Sequence, residues 1–253
     1  RKGRPALVVV EVERGRVVRE VAFPTLGELV NPAWSPDGRR IAFSALAGGH
    51  TDLFLYDLET GRLDRLTDDP YAELQPAWSP DGRRIAFVTD RFGTDLAEGA
   101  WGRYRLAVVD PETRRIEPLP GAGDGNDVNP QWAPDGRSLY FVSDRSGIRN
   151  VYRVVLPTGE VRQVTDLYTG VSGITPVSPA LSVAAASGRV AFNVYADGGY
   201  GIWIADDPHA LAGFPPRRPG PADPAALPPH DRRPSAVLAY LTEPEPGTPA
   251  REF

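Results

Sequence analysis

The ten residues WSPDGRRIAF occur at positions 34–43 and again at 78–87, and a third copy, WAPDGRSLYF, stands at 132–141. Trp34 and Trp78 lie 44 residues apart, Trp78 and Trp132 lie 54 apart, and the phenylalanines Phe43, Phe87, Phe141 and Phe192 follow at 44, 54 and 51. A unit repeated at this period cannot bury its apolar side alone, so copies must stack on one another. That requirement constrains the fold more than any other feature of the chain.

Within each unit the residues alternate between apolar and polar, through NPAWSP or QPAWSP, then RRIAF, then a stretch such as DLFLYDL, then RLDRLT. Period two is the signature of half-buried strands. Between the first two strands sits S-P-D-G, in which the proline presets a turn and Asp-Gly supplies the local acceptor and the positive φ of a tight reversal. Between the third and fourth come DLETGR, DPETRR and LPTGE, where Gly61 and Gly159 relieve the backbone and Arg114 replaces that glycine. Each unit therefore reads as a four-stranded antiparallel meander. Residues 31–67, 75–120 and 129–166 are complete units; 5–23 supplies a third and fourth strand, and 178–206 a first, second and third in which Leu181 replaces the tryptophan.

Four-stranded units with a tryptophan on the first strand indicate an all-β fold, a β-propeller whose sheets pack face to face around a channel. The motif W-S-P-D-G-x-x-I-A-F followed by S-D-R-x-G resembles the WD40-like (PD40) repeats of TolB-type propellers. The likeness covers 31–166 well, 5–23 and 178–206 weakly, and the remainder not at all. It implies a noncatalytic protein-binding platform in the periplasm or cell envelope. Similar repeats also serve as accessory or gating propellers of larger hydrolases, prolyl oligopeptidase-type serine peptidases or metallopeptidases, which is the alternative expectation.

The repeated residues themselves read as scaffold. Asp37–Gly38, Asp81–Gly82 and Asp135–Gly136 sit on separate units, so the aspartates cannot converge on one reacting atom; they form turns. Trp34, Trp78 and Trp132 are expected to wedge between sheets. Ala42 and Ala86 should let the adjacent sheet approach, with Tyr140 the exception in the third unit.

A site is expected on the rim that carries the second-to-third and the unit-to-unit connections, because length variation concentrates there: 46–51, 90–104, 120–128, 143–150 and 166–177. Aromatic and arginine side chains of these loops, Arg91, Phe92, Trp101, Arg103, Tyr104 and Arg145, are the candidate partner-binding residues. Asn31, Glu73, Asp127 and Asn129 stand at the starts of first strands, where converging oxygens could hold calcium in the channel, and a solvated polar lining explains the same residues; no other cofactor is expected. For catalysis the chain offers neither G-x-S-x-G nor H-E-x-x-H, and its histidines are His50, His209 and His230, so this chain is not expected to be an enzyme.

The net charge of −5 is spread without blocks of one sign, and Lys2 is the only lysine, which argues against a nucleic-acid partner. Zero cysteines exclude disulfides and thiolate metal sites. No apolar run reaches the roughly 18 residues of a membrane-spanning helix. The expected organisation is a propeller over 1–206, part of a larger ring, and a Pro-rich connector over 207–253 leading to a further domain, with one apolar island at Ala236–Leu241 read as a short helix.

Overall fold

The computed structural model describes residues 5–121, 125–175, 177–196 and 198–216. Three four-stranded sheets follow one another along the chain. Blade A contains β3 (Leu29–Trp34), β4 (Arg40–Ala47), β5 (His50–Asp57) and β6 (Leu63–Arg65). Blade B contains β7 (Glu73–Trp78), β8 (Ile85–Thr89), β9 (Arg105–Val109) and β10 (Ile116–Pro118). Blade C contains β11 (Asp127–Trp132), β12 (Ser138–Ser143), β13 (Asn150–Val155) and β14 (Glu160–Gln163). A two-stranded sheet, β1 (Ala6–Glu11) and β2 (Arg16–Ala22), precedes them, and a three-stranded sheet, β15 (Leu181–Val183), β16 (Val190–Ala196) and β17 (Gly199–Ala205), follows. Every pairing is antiparallel between consecutive strands, and the innermost strands β3, β7, β11 and β15 line a common channel. The chain is a propeller with three complete blades and a partial blade at each end.

Local chemistry explains the hairpins. Asp37 Oδ1 accepts from Ser35 Oγ at 2.6 Å and from the Arg39 N–H at 3.0 Å, while Ser35 Oγ accepts from the Arg40 N–H at 2.8 Å. Gly38 closes the turn at φ 70°, where a Cβ would be strained. Asp81 repeats the pattern with Ser79 and Arg83; in blade C Ala133 removes the serine, and Asp135 keeps only the Arg137 N–H at 2.8 Å. The serine bond is the main reason the Asp37 and Asp81 carboxyls titrate below the usual range.

The two sides of each blade have different partners. Ile41 and Phe43 pack toward β1–β2 with Leu7, Phe23 and Leu26, whereas Ala42 points the other way, into the layer that holds Trp78, Ile85 and Phe87. The indole of one blade thus lies against the small residue of the blade before it. Trp78 and Trp132 are 8% and 6% exposed. Trp132 also donates its indole N–H to the Ala77 carbonyl at 3.0 Å.

Trp34 departs from the expectation of a wedge between sheets: it is 50% exposed. It shares a face with Ile41, its cross-strand partner, and that face meets only the β1–β2 sheet, which covers the outer strands and leaves the inner corner bare. A second departure concerns 46–51, expected to be a variable loop. Gly48 and Gly49, at φ 63° and 97°, make a two-residue reversal between β4 and β5.

Packing runs on past Asp206 to Phe214, beyond the boundary read from the sequence. Asp207 caps the short helix α1 (Pro208–Ala212) by accepting from the His209 N–H at 2.9 Å, Leu211 is buried, and Phe214 exchanges two backbone bonds with Gln163 at 2.8 Å on the outer edge of blade C. Among the described residues β17 therefore has no fourth strand beside it. The rest of the Pro-rich connector, Ala236–Leu241 included, lies outside the described residues.

Burial separates the tryptophans energetically. Trp132→Ala should cost about 3–5 kcal/mol in denaturant unfolding and Trp34→Ala less than about 1 kcal/mol. Equal losses would contradict the packing described.

Candidate functional site

The rims differ in chemistry. A Cβ built on Gly82, Gly136 or Gly188 would meet Pro36, Pro80 or Pro134 of the preceding sheet at 3.6–3.8 Å, so the S-P-D-G turns and their degenerate last copy lie side by side on one rim. That rim is made of short reversals of Asp, Arg, Glu, Thr and Pro, with Val12 of the β1–β2 turn 96% exposed among them. The opposite rim carries the exposed apolar side chains Leu96, Trp101, Ile148, Tyr168, Ile174 and Tyr200, of which Tyr168, Ile174 and Trp101 are 93%, 90% and 77% exposed.

The 90–104 loop is a small built structure. Asp95 and Ala100 form a two-bond bridge, Thr94 Oγ1 donates to Asp90 and accepts from the Gly102 N–H at 2.9 Å, and Gly93 and Gly102 pass so closely that a Cβ on Gly102 would lie 2.3 Å from the Gly93 carbonyl carbon. This closure holds Trp101 outward. Of the other candidate partner-binding residues, Phe92 packs against the layer between blades A and B, Tyr104 is half-buried beside blade C, and Arg103 is exposed.

Arg91 and Arg145 are placed elsewhere than a contact surface would need. One nitrogen of Arg91 bridges Asp69 at 2.8 Å and Glu73 at 2.7 Å, and the guanidinium lies over Tyr71. Arg145 reaches Asp127 at 2.9 Å, the Gly121 carbonyl at 3.2 Å and Ser143 Oγ at 3.1 Å, between the rings of Phe141 and Tyr152. The aspartates beside these arginines do complementary work: Asp90 accepts from the Ala72 N–H and Asp144 from the Asn126 N–H. In blades B and C the D-R-x-G segment thus stitches the second-to-third connection to the segment entering its own blade. Its signal was legible as D-R-x-G occurring at 90–93 and again at 144–147, and only the fold reveals the carboxylate it serves.

Glu73 and Asp127 are fully buried, and each is held by its own arginine on its own blade. Burial pushes the Glu73 carboxyl up to about 7 against the pull of Arg91, which Asp69 also shares. Burial likewise raises Asp127, with Arg145 pulling it back. The structure does not bring these acids together with Asn31 and Asn129 as a ligand set, and no group of three His, Asp or Glu side chains suited to a metal occurs among the described residues.

The inner-strand carboxamides do structural work that sequence reasoning missed. Asn31, Gln75 and Asn129 each sit at φ 54–56° just before a proline, at a bulge in the pairing. Gln75 Oε1 accepts from the Asn129 N–H at 2.6 Å, Gln75 Nε2 donates to the Val177 carbonyl at 2.6 Å, and Asn129 Oδ1 accepts from the Ala180 and Leu181 N–H groups at 2.6 and 2.8 Å. They tie one sheet to the next along the channel. The channel itself holds a cavity of about 620 Å³, lined by Trp34, Trp78, Trp132 and Leu181 among prolines.

A family profile described as "TolB beta propeller domain" (PD40) matches residues 1–116. Dipeptidyl-peptidase 5 of Porphyromonas gingivalis is 30% identical over 146 residues, covering 53% of this chain and 20% of that protein. The Tol-Pal system protein TolB of Bordetella pertussis is 32% identical over 141 residues, covering 56% of this chain and 30% of that protein. Among solved structures, TolB from Acinetobacter baumannii superposes with a TM-score of 0.61 at 23% identity, covering 79% of this chain and 46% of that one. Puromycin hydrolase (S511A mutant, complexed with PGG) gives 0.55 at 22% identity over 82% of this chain and 31% of that one. The chain thus matches less than a third of the length of either curated relative.

The raised Glu73 pKa has a defined consequence for stability. The folded protein binds this proton more tightly than the unfolded chain, whose carboxyl titrates near 4.5. The stabilisation from protonation is complete below that value and is lost as pH rises through about 7. Glu73→Gln, which stays neutral, should gain on the wild type by on the order of 1–3 kcal/mol between acid and mildly alkaline solution. Urea unfolding at the two pH values measures the gap; a gap that does not change contradicts the assignment.

Proposed function

Because this chain is a β-propeller of TolB-type PD40 repeats, we propose that it is a noncatalytic protein-binding platform of a bacterial cell envelope, with the long-loop rim as its contact face. The observation that carries this reading is that large exposed apolar side chains, Trp101, Tyr168 and Ile174 foremost, stand on the long loops of that rim, opposite a rim of short charged turns on which Val12 is the exposed apolar residue. Large aromatic and aliphatic anchors on a rigid support are the residues from which protein interfaces draw most of their energy. The buried Arg91 and Arg145 contribute by fixing the loops that present those anchors. A periplasmic or envelope location accords with the likeness to TolB proteins.

A second reading rests on the likeness to dipeptidyl-peptidase 5 and to puromycin hydrolase. In it the propeller is the accessory domain of a hydrolase, and the same rim faces a catalytic domain in the same polypeptide. The two readings share a contact face and differ in what touches it.

Photo-crosslinking separates them. A benzophenone side chain at Trp101 or Ile174, introduced into the full-length protein in cells, should give crosslinked products, whereas the same group at Thr113 on the turn rim should give none. Products of higher mass support the platform, and crosslinks within one polypeptide support the accessory domain. Equal yields from Thr113 would overturn the choice of face.

A further inference from the structure

Blades B and C answer the acid at the entry of their first strand from within. Glu73 and Asp127 each take the arginine of their own D-R-x-G connection, Arg91 at 2.7 Å and Arg145 at 2.9 Å. Blade A has no D-R-x-G: the Gly48–Gly49 reversal joins β4 to β5 in two residues. Its entry acid is Glu28, directly before β3. Among the described residues the Glu28 side chain makes no hydrogen bond or ion pair, and neither does the Asn31 carboxamide, whereas Gln75 and Asn129 at the matching places of blades B and C hold backbone groups.

Both side chains line one cleft of about 460 Å³ on the long-loop rim, between the inner corner of blade A and the connection that enters β15. Its walls are aliphatic. Val30 pairs with Ser44, two residues before Leu46 on β4, so Val30 and Leu46 share the side of blade A that faces blade B. Leu74 and Val177 extend the lining, and Gln75 Nε2 fixes the latter wall by donating to the Val177 carbonyl at 2.6 Å. Thr51, the cross-strand partner of Leu46, adds a hydroxyl. Glu28 is the one charged residue of the described lining. A carboxylate set among aliphatic side chains suits a cation on an apolar stem, whose methylenes lie on the walls while the charge reaches the oxygen. Calcium would take about six to eight oxygen ligands, which one carboxylate and a few neutral oxygens on such walls do not supply.

We infer that this cleft receives a lysine or arginine side chain of the protein that meets the long-loop rim, its stem on Val30, Leu46 and Leu74 and its cation on Glu28 and Asn31. The inference rests on that rim being the contact face and adds the chemistry of the partner: a basic side chain that does from outside what Arg91 and Arg145 do from within blades B and C. Trp101, Tyr168 and Ile174 offer area to any apolar surface. The cleft selects by charge, because an acidic side chain there would meet Glu28 on walls that provide no compensating cation.

The test titrates the purified full chain with hexylammonium, hexylguanidinium, hexanol and hexanoate, four probes on one stem, and follows the backbone N–H resonances of Leu46, Thr51 and Val177. The cations should bind in the millimolar range and about fivefold tighter than hexanol, with hexanoate weakest, and the tighter cation tells lysine from arginine. Glu28→Gln should bring both cations to the level of hexanol and leave hexanol itself unchanged, a pattern that a merely structural role for Glu28 would not give. Leu46→Ala should weaken the cations and hexanol alike. In cells, Glu28→Arg should lower the yield of the Trp101 crosslink about fivefold. The probes need no partner, so their result stands apart from the choice of contact face. Cations that bind Glu28→Gln as tightly as the wild type, hexanoate that binds as tightly as hexylammonium, shifts confined to other parts of the chain, or a Trp101 crosslink unmoved by Glu28→Arg would overturn the inference.

Discussion

Each blade of this protein is finished by its neighbour. A four-stranded meander has two apolar sides and no means of covering either, so the junction between sheets decides whether the fold exists. Here that junction is specified by a guanidinium laid on an indole, a small residue that lets the ring approach, and carboxamides that bond across the channel. The stacking geometry places the positive charge against the π face, Arg40 over Trp78 at 4.9 Å and Arg84 over Trp132 at 5.0 Å, and Arg40 also bonds the exposed carboxylate of Glu112 at 3.0 Å. Everything else, including the separation of the two rims, follows from the blades being held in this fixed relation.

Much of this was legible in the repeated decapeptide. S-P-D-G and Asp-x-x-Thr-Gly are local chemistry, and local chemistry is readable residue by residue: Asp37 and Asp57 bond to groups within three residues of themselves. The alternation through Ile41, Ala42 and Phe43 likewise identified two sides of unlike size. The exposure of Trp34 was not legible, because its sequence neighbourhood is identical to that of Trp78; the difference lies in which sheet stands before it. The roles of Arg91 and Arg145 were hidden for the same reason. An arginine in a loop beside aromatic residues has the composition of an interface, and only the fold shows that Glu73 and Asp127, 18 residues earlier in each case, wait beneath it. Asn129 was legible as a polar residue near a channel, whereas the bonds that its carboxamide and that of Gln75 make reach 51 and 54 residues along the chain.

These buried pairs connect stability to the proposed contact face. Arg91 serves two carboxylates, one of them fully buried, and the loop it anchors carries Trp101. Taking a charged pair out of water adds little net stability, but it fixes geometry, since breaking it leaves an uncompensated charge. On the proposed contact face that rigidity has a use, because loops held in place before contact lose less entropy on binding. The scaffold therefore does for the rim what one blade does for the next, by settling in advance where its side chains will be.

The central claim is that cation and indole couple adjacent sheets directly, and a double-mutant cycle on Arg84 and Trp132 measures that coupling. Unfolding free energies of the wild type, Arg84→Ala, Trp132→Leu and the double variant should give an interaction energy of about 1 kcal/mol or more. Additive losses, with no coupling beyond error, would mean that the arginine merely lies near the ring and that the blades are joined by apolar burial alone.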